Sequence, residues 1–394
     1  MLNIFLWLAV VVLLIPLAVL FVETWAALVP VKNAPTAPAS HPPCAVLVPA
    51  HDEEAGLART LYAILPQLAP GDRLVVVADN CTDETADVAR SCGATVLERI
   101  DSTRRGKGFA LDHGVRWLEQ SPPDVVVIVD ADCLVDEKTL SRLVEAAATT
   151  GRPVQAAYLL EPPPRPRHQD QVSAFAVQYK NVVRPLGLRR LGLPCLLTGT
   201  GMAFPWPLLR DASLANGNIV EDMQLGVDLA TAGWPPRFCP EACVYSVLPS
   251  APKGSADQRT RWEHGHLRTL LGQPPRLVKA AFRQRRLDLL ALALELSVPP
   301  LSLLFLLWVT TLAGLVGGWW AGGSALPAVV LAAGGCAVVL SILAAWARFG
   351  RERLPLRSLL AAPLYILWKV PIYVAFLLWP QRAWIRTERG PPRQ

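Results

Sequence analysis

The fold is decided by an apolar run that ends in two carboxylates, Val125-Val126-Val127-Ile128-Val129-Asp130-Ala131-Asp132. Similar short apolar runs lie upstream at residues 45–48, 74–77 and 95–97, with helical patterns between them. Strands that are apolar on both faces and alternate with helices are typical of a parallel sheet covered by helices on both sides. We therefore predict an α/β fold for this part of the chain.

Polar residues follow three of the predicted strands, at the edge of the sheet where ligands bind in such folds. They are His51-Asp52-Glu53-Glu54, Asp79-Asn80-Cys81-Thr82-Asp83 and Asp130-Ala131-Asp132. Carboxylates at one edge repel one another unless a cation or hydrogen-bond donors lie among them. Only one residue separates Asp130 from Asp132, so a turn can direct both at one metal ion. Oxygen ligands favour Mg²⁺ or Mn²⁺, and such an ion suits a pyrophosphate ligand.

The composition indicates membrane segments at both ends of the chain. Of the 394 residues 52% are hydrophobic and only 18% are charged, which excludes a disordered chain and is unusual for a soluble enzyme. Residues 2–22 carry no charge and are long enough to cross a hydrocarbon core of about 30 Å. The run is longer than a secretory signal and lacks a basic region before it, so we interpret residues 1–30 as a retained transmembrane anchor.

The C-terminal part contains further apolar segments. Residues 296–347 carry no charge and predict two transmembrane helices, broken at the Gly- and Trp-rich segment 317–323. Residues 358–379 are apolar as well, but Pro363, Lys369 and Pro371 interrupt them, so this third segment either spans the membrane or is re-entrant.

Basic clusters give an orientation. They lie at 276–286 and 348–357, on either side of the two predicted spans, and a basic tail covers 380–394. The positive-inside rule places these clusters in the cytoplasm, together with a domain at 44–275 that a Pro-rich linker (31–43) separates from the anchor. We expect the basic segment 276–295 to be an interfacial helix that contacts membrane lipid, because the basic clusters adjoin membrane segments; this argues against nucleic-acid binding.

The net charge is +6, and the eight cysteines include no Cys-x-x-Cys pair. We interpret the cysteines as reduced thiols of a cytosolic domain, with no zinc site or disulfide framework.

An ordered set of motifs resembles membrane-bound family 2 glycosyltransferases, such as cellulose synthase, hyaluronan synthase and poly-N-acetylglucosamine synthase. The motifs are residues 46–54, Asp79-Asn80-Cys81-Thr82-Asp83, Gly106-Lys107-Gly108, Asp130-Ala131-Asp132, Val220-Glu221-Asp222 and Gln258-Arg259-Thr260-Arg261-Trp262. The resemblance covers residues 44–271 and the membrane layout. A D-x-D triplet alone is unspecific, whereas the ordered set ending in Q-x-x-R-W is specific. Asn80 departs from the Asp of many relatives, and Val220 from a Thr.

The resemblance implies a GT-A-type nucleotide-sugar domain with a mostly parallel central sheet, flanked by N- and C-terminal transmembrane helices. It implies an inverting, metal-dependent hexosyltransferase that uses a UDP-sugar, with Asp222 of the Glu221-Asp222 motif as the general base. Asp130 and Asp132 would hold Mg²⁺ or Mn²⁺. The implied nucleotide-sugar-binding residues are Glu53, Asp79, Lys107, Asp130 and Arg261. The implied acceptor-binding residues are Gly199, Thr200, Gly201, Gln258 and Trp262.

The sequence motifs do not identify the acceptor of the sugar. One hypothesis is a growing polysaccharide or lipid-linked glycan at the cytoplasmic face of a bacterial inner membrane, and a processive synthase with so few membrane segments would need export or assembly partners. An alternative is a single transfer to a ceramide- or polyprenyl-linked acceptor. A catalytically silent assembly subunit is a further alternative; it predicts missing carboxylates, whereas Asp130, Asp132 and Asp222 are present.

Overall fold

A computed structural model describes residues 2–30, 41–215, 220–247 and 252–379, without the side chains of 2–5 and 252–258. The basic tail at 380–394 and residues 31–40 of the predicted linker lie outside this description. The chain divides into two compact units. Among the described residues, the sheet unit comprises those from 41 to 163 and from 194 to 259, and the helical unit comprises those up to residue 30, from 164 to 193 and from 260 to 379.

One mixed sheet contains all the strands of the described residues. They are β1 (Cys44–Ala50), β2 (Arg73–Asp79), β3 (Thr95–Arg99), β4 (Val125–Ile128), β5 (Leu134–Val135), β6 (Val154–Glu161), β7 (Met202–Pro205) and β8 (Arg237–Val247). Their spatial order is β3-β2-β1-β4-β7-β6-β8-β5. The first four are parallel, β7 is antiparallel to β4 and β6, β6 and β8 are parallel, and β5 is antiparallel to β8. The predicted α/β class with a mostly parallel central sheet is confirmed.

The helices are named in chain order across both units. They are α1 (Leu2–Leu28), α2 (Leu57–Ile64), α3 (Thr85–Ser91), α4 (Lys107–Leu118), α5 (Thr139–Thr150), α6 (His168–Gln178), α7 (Arg184–Arg190), α8 (Trp206–Arg210), α9 (Glu221–Thr231), α10 (Pro252–Gln284), α11 (Leu287–Leu296), α12 (Leu301–Trp320), α13 (Leu326–Ala345), α14 (Leu356–Leu359) and α15 (Ala362–Leu378). Single π-helical turns follow α6 and α13, at Tyr179–Val183 and Trp346–Gly350.

Both faces of the sheet are buried. Val46 and Val48 of β1 pack on one face with buried residues of α2, α3 and α5. Ala45 and Leu47, which alternate with them, pack on the other face with α4, α8 and α9. Side chains of a strand point alternately to opposite faces, so a strand covered on both sides reads as an uninterrupted apolar run. This explains why the sequence pattern identified β1 to β4.

The helical pattern that follows β1 in the sequence extends over residues 53–65, but helix α2 begins only at Leu57. Residues 53–56 instead form a turn in which the carbonyl of Glu53 accepts hydrogen bonds from the N–H groups of Gly56 and Leu57 (3.1 and 3.0 Å). The N–H of Glu54 donates to the Asp83 carboxylate (3.1 Å), which ties this turn to the segment before α3. Two loops at the carboxyl edge of the sheet are thereby joined.

Within the described part of the chain, the helical unit contains three helices that are long and apolar enough to cross a membrane: Leu6–Leu28, Leu301–Trp320 and Leu326–Gly350. They share one apolar core, which includes Leu17 of α1, Leu304 of α12 and Leu331 of α13. A side-chain carbon added at Gly335 of α13 would overlap the ring of Trp308 of α12, so only glycine permits this close approach. The shorter apolar helix α15 has 17 residues.

A buried ion cluster ties three helices of this unit together. The Arg184 guanidinium on α7 donates to Glu23 of α1 (2.7 Å) and Glu295 of α11 (2.6 Å). All three side chains are at most 5% exposed. Beside the cluster, the hydroxyl groups of Thr24 and Tyr179 share a hydrogen bond of 2.6 Å. Burial alone would lower the pKa of Arg184, but the two carboxylates raise it. The arginine therefore stays charged in the interior.

Polar contacts also hold α15 against α10. The ammonium of Lys369 forms an ion pair with Glu263, and the Tyr373 hydroxyl donates to the same carboxylate (3.3 Å). His264 of α10 bonds the carbonyl of Ile372 through Nε2 (3.0 Å). Lys369, which interrupts an apolar segment in the sequence, is thus buried and paired with Glu263.

We predict that Arg184→Gln strongly destabilises the protein, because it leaves two carboxylates buried without a counter-charge. Removing one partner of a buried ion pair costs about 3–5 kcal/mol. Arg184→Lys should lie between this variant and wild type, since lysine keeps the charge without the fork that reaches both carboxylates. The readout is the thermal unfolding midpoint in detergent.

The matched control is Arg189→Gln, which changes an exposed arginine of the same helix. Equal midpoints for Arg184→Gln and Arg189→Gln would contradict the role of the ion cluster.

Candidate active site

Lys107 lies at the centre of a group of carboxylates in the sheet unit. It is the first residue of α4. Its ammonium forms an ion pair with Asp130 and donates to the carbonyl oxygen of Gly199 (2.5 Å). Burial alone would lower the pKa of Lys107, but the charges of Asp130 and Glu221 raise it above its ordinary value. The lysine is therefore a fixed positive charge at neutral pH.

The two aspartates of the D-x-D motif follow β4. The N–H of Asp130 donates to the Thr200 hydroxyl (3.1 Å). Ligand atoms of Asp130, Asp132 and Cys133 lie within 4.8 Å of one another. Burial raises the pKa of Asp130; Lys107 opposes this rise, and the charge of Asp132 adds to it. Negative charge accumulates here beyond what one lysine balances, so the residues present suit a divalent cation.

The loop at 198–201 lies against the Lys107 ammonium and the Asp222 carboxylate. Gly199 has φ +92°, and a side-chain carbon added there would stand 3.2 Å from the Asp222 carboxylate and 3.6 Å from the Lys107 ammonium. Only glycine combines this backbone conformation with room beside the two charges. The carbonyl of Gly201 accepts a hydrogen bond from the N–H of Ala156 on β6 (2.8 Å). The loop is thus held at the edge of the sheet.

Gln155, which none of the sequence motifs includes, fixes this loop. The buried side chain donates to the carbonyl of Thr200 (2.9 Å) and accepts from the N–H of Thr198 (2.8 Å). One amide therefore bonds both sides of the loop, using its donor and its acceptor. The available signal was a polar amide inside the otherwise mostly apolar segment 154–160.

Glu221 and Asp222 begin α9 and complete the group. Burial raises the pKa of Glu221 to about 7, the charge of Asp222 adds to this rise, and Lys107 opposes it. Asp222 lies beside Gly199, as the geometry at that glycine shows. Two adjacent carboxyl groups in this environment can thus differ in protonation near neutral pH.

The predicted donor-binding residues Glu53 and Asp79 lie after β1 and at the end of β2. The Asp79 side chain is buried and accepts hydrogen bonds from Arg99 (2.5 Å) and from the Asn80 amide (3.0 Å). The N–H of Glu53 donates to the Thr85 hydroxyl (2.7 Å). Arg99, at the end of β3, was not predicted, although it is the charged partner that holds Asp79.

The structure brings seven predicted site residues into one group: Lys107, Asp130, Asp132, Gly199, Thr200, Glu221 and Asp222. Arg261 and Trp262 lie on the part of α10 that belongs to the helical unit. The side chain of Gln258 lies outside the described residues. The roles assigned to all of these residues stay predictions.

The sheet and this edge define a GT-A-like glycosyltransferase fold. Among solved structures, the mannosyltransferase PcManGT from Pyrobaculum calidifontis, in complex with GDP-Man and Mn²⁺, aligns over 96% of this chain and 99% of that one. The TM-score is 0.56 at 19% sequence identity, which supports the fold. The family model described as "Glycosyltransferase like family 2" matches residues 41–265, more than half of the chain. The protein belongs to this family.

Two curated relatives of the chain are also named as glycosyltransferases. The probable glycosyltransferase YdaM of Bacillus subtilis is 26% identical over 243 residues, which make up 57% of this chain and 55% of that protein. The 4,4'-diaponeurosporenoate glycosyltransferase of Staphylococcus aureus is 36% identical over 94 residues, 24% of each chain. The chain thus spans about half or less of the length of these relatives.

The raised pKa of Glu221 predicts a pH dependence of stability. Between its ordinary value of 4.5 and the folded value of about 7, the folded protein holds a proton that the unfolded chain has lost. Stability therefore falls as the pH rises through this interval. Glu221→Gln removes the effect, so its thermal midpoint should gain on wild type between about pH 5 and pH 8.

Glu119→Gln, at an exposed position of the same unit, serves as the control. A difference between Glu221→Gln and wild type that stays constant with pH would contradict the proposed environment of Glu221.

Proposed function

We propose that the protein is a metal-dependent, inverting hexosyltransferase that transfers one sugar from a nucleotide sugar to a lipid-linked acceptor at a membrane surface. The observation that carries the proposal is the meeting of the D-x-D carboxylates and the Glu221-Asp222 pair around Lys107. Catalysis of an inverting transfer needs a base for the acceptor hydroxyl and positive charge for the departing diphosphate. Both kinds of group are present within one family 2 glycosyltransferase domain.

Asp130 and Asp132 would hold a Mg²⁺ or Mn²⁺ ion. Such an ion supplies positive charge that stabilises a diphosphate leaving group. Both aspartates follow a buried central strand, which fixes their backbone at the edge of the sheet. The mannosyltransferase from Pyrobaculum calidifontis was solved with GDP-Man and Mn²⁺, which agrees with this assignment.

Asp222 takes the proton of the acceptor hydroxyl as its oxygen attacks the anomeric carbon of the donor. Glu221 stays protonated up to about pH 7, which reduces repulsion within the pair and leaves Asp222 as the carboxylate that accepts the proton. Lys107 would bind the diphosphate, exchanging part of its contact with Asp130 for a phosphate oxygen. Gly199, beside Asp222, leaves room for the acceptor.

The remaining predicted residues complete the proposal. Glu53 and Asp79 contact the nucleoside, Arg261 binds the pyrophosphate, and Gln258 and Trp262 bind the acceptor. These roles rest on the resemblance of the motifs, and UDP is the nucleotide that the resemblance implies. Asp79 would act with Arg99, which orients its carboxylate (2.5 Å).

The helical unit would hold the protein in a membrane. We assign α1, α12 and α13 as spans and place the basic clusters, with the catalytic domain, on the cytoplasmic side. The ion pair of Lys369 with Glu263 supports an α15 that lies at the interface instead of crossing. The bacterial inner membrane is the proposed location.

A single transfer to a lipid is favoured over processive synthesis by the packing of the described spans. Core residues of α1, α12 and α13 contact one another directly, and Trp308 of α12 lies against Gly335 of α13. A relative is named for transfer to 4,4'-diaponeurosporenoate, which agrees with a small acceptor. Synthesis of a growing polysaccharide with export partners is the second candidate function.

The first test measures release of nucleoside diphosphate by the purified full chain in detergent. The donors are UDP-glucose, UDP-N-acetylglucosamine, UDP-galactose, UDP-glucuronate and GDP-mannose, each with Mn²⁺, with Mg²⁺ or with EDTA. We expect release from one donor, only with metal and only with added bacterial lipid extract, and a lipid product carrying one sugar. Full turnover in EDTA would contradict metal dependence, and a lengthening product made without lipid would favour the polysaccharide synthase.

The second test addresses the general base. Asp222→Asn should lower the transfer rate by about 10²–10⁴-fold, because the variant can no longer take the acceptor proton. Donor affinity, measured by calorimetry, should change little. Asp228→Asn is the matched control, since Asp228 lies on the same helix and accepts hydrogen bonds from Gln224 (3.0 Å). Activity of Asp222→Asn within about tenfold of this control would refute the assignment.

A further inference from the structure

Three potential metal ligands of different chemistry meet at the edge of the sheet, in the turns that follow β1 and β2. The side-chain ligand atoms of His51, Asp52 and Cys81 lie within 4.8 Å of one another. Nε2 of His51 stands 3.8 Å from the Asp52 carboxylate. None of these side chains belongs to the group around Lys107 or has a role in the transfer proposed above.

The histidine is oriented as a metal ligand usually is. Its Nδ1 lies 2.7 Å from the carbonyl oxygen of Asp79, and because a carbonyl can only accept, Nδ1 carries the hydrogen. This tautomer makes Nε2, on the side of Asp52, the basic nitrogen. Metal-binding histidines commonly donate their other ring N–H to a carbonyl or carboxylate, which fixes the ring.

Contacts between the two turns hold the ligand atoms in place. The carboxylate of Asp52 accepts a hydrogen bond from the N–H of Thr82 (2.6 Å), and the N–H of Asp52 donates to the sulfur of Cys81 (3.4 Å). Asp52 and Asn80 both adopt left-handed backbone conformations, with φ of 51° and 52°. The cluster therefore does not depend on one mobile side chain.

We propose that His51, Asp52 and Cys81 form a second metal site, which binds a thiophilic divalent ion of the Zn²⁺ class. A ligand set of one nitrogen, one oxygen and one sulfur suits Zn²⁺ and is unsuited to Mg²⁺, which prefers oxygen. Zinc bonds of about 2.0–2.3 Å place tetrahedral neighbours about 3.3–3.8 Å apart, so the side chains need to close by only about 1 Å. Water would fill the fourth position.

The thiol has to lose its proton to bind the ion. Burial raises the pKa of Cys81, while the N–H of Asp52 opposes this rise. The ion displaces the proton, which passes to solvent, as is usual when a thiol becomes a ligand. An ion held here would join the turns after β1 and β2, and binding to the folded state alone would stabilise the protein.

The experiment uses the full chain in detergent, with its thiols reduced, and titrates it with Co²⁺ as a spectroscopic substitute for Zn²⁺. We expect a cobalt–thiolate charge-transfer band that saturates at one ion per chain and disappears when Zn²⁺ is added. Cys81→Ser should abolish the band, and His51→Gln should weaken Co²⁺ binding by at least about tenfold. Zn²⁺ should raise the thermal midpoint of wild type and not that of Cys81→Ser.

Two controls make the result specific. Cys243→Ser changes another half-buried cysteine of the sheet unit and should keep the band. Cys133→Ser removes the thiol beside Asp130 and Asp132 and should also keep it. A band lost in Cys133→Ser but retained in Cys81→Ser, or no thiolate band in wild type, would overturn the proposal. If Cys81→Ser fails to fold, His51→Gln alone decides it.

Discussion

The ammonium of Lys107 balances the carboxylates that gather at one edge of the sheet. Asp130 forms an ion pair with it, and the charges of Glu221 and Asp222 raise its pKa. It also reaches the carbonyl of Gly199, so the same lysine joins the start of α4, the end of β4 and the loop at 198–201. Without this charge the carboxylates of Asp130, Glu221 and Asp222 would repel one another. Motifs that lie far apart in the chain thus meet at the edge of the sheet.

Hydrophobic patterning predicted β1 to β4 because these strands are buried on both faces and read as unbroken apolar runs. It did not predict β5 to β8. β5 has two residues, β6 carries the buried amide Gln155, and the pairing of β6 with β8 shifts register between Ala156 and Ala157. The motifs led to Lys107, Asp130 and Asp222. Gln155 and Arg99 were missed because their roles depend on contacts between segments far apart in the chain, which spacing does not reveal.

Charged residues within the apolar helices also have partners that lie far away in the chain and that the sequence pattern does not reveal. Hydropathy located the apolar runs, and in the sequence Glu23 marks the end of the first one. In the structure α1 continues past it to Leu28, within the anchor predicted over residues 1–30, and Arg184 of another helix supplies a buried counter-charge for Glu23. Lys369 likewise interrupts an apolar segment in the sequence and is paired with Glu263 in the structure. In the sequence, a charged residue therefore marks the end of an apolar segment, whereas the structure shows that it can be buried beside a residue of opposite charge. The spacing of the cysteines likewise did not indicate the cluster of His51, Asp52 and Cys81, because Cys81 lies in a different turn, the one that follows β2.

The ion cluster of the helical unit also sets an order of assembly during synthesis. Arg184 follows Glu23 by 161 positions, and Glu295 follows Arg184 by another 111. The first helix therefore leaves the ribosome long before its counter-charge exists, and the whole first half of the sheet unit is translated in between. Its carboxylate has to stay hydrated or protonated during that time. The contacts of α1 with α7 and α11 through this cluster can therefore be completed only after residue 295 has been made.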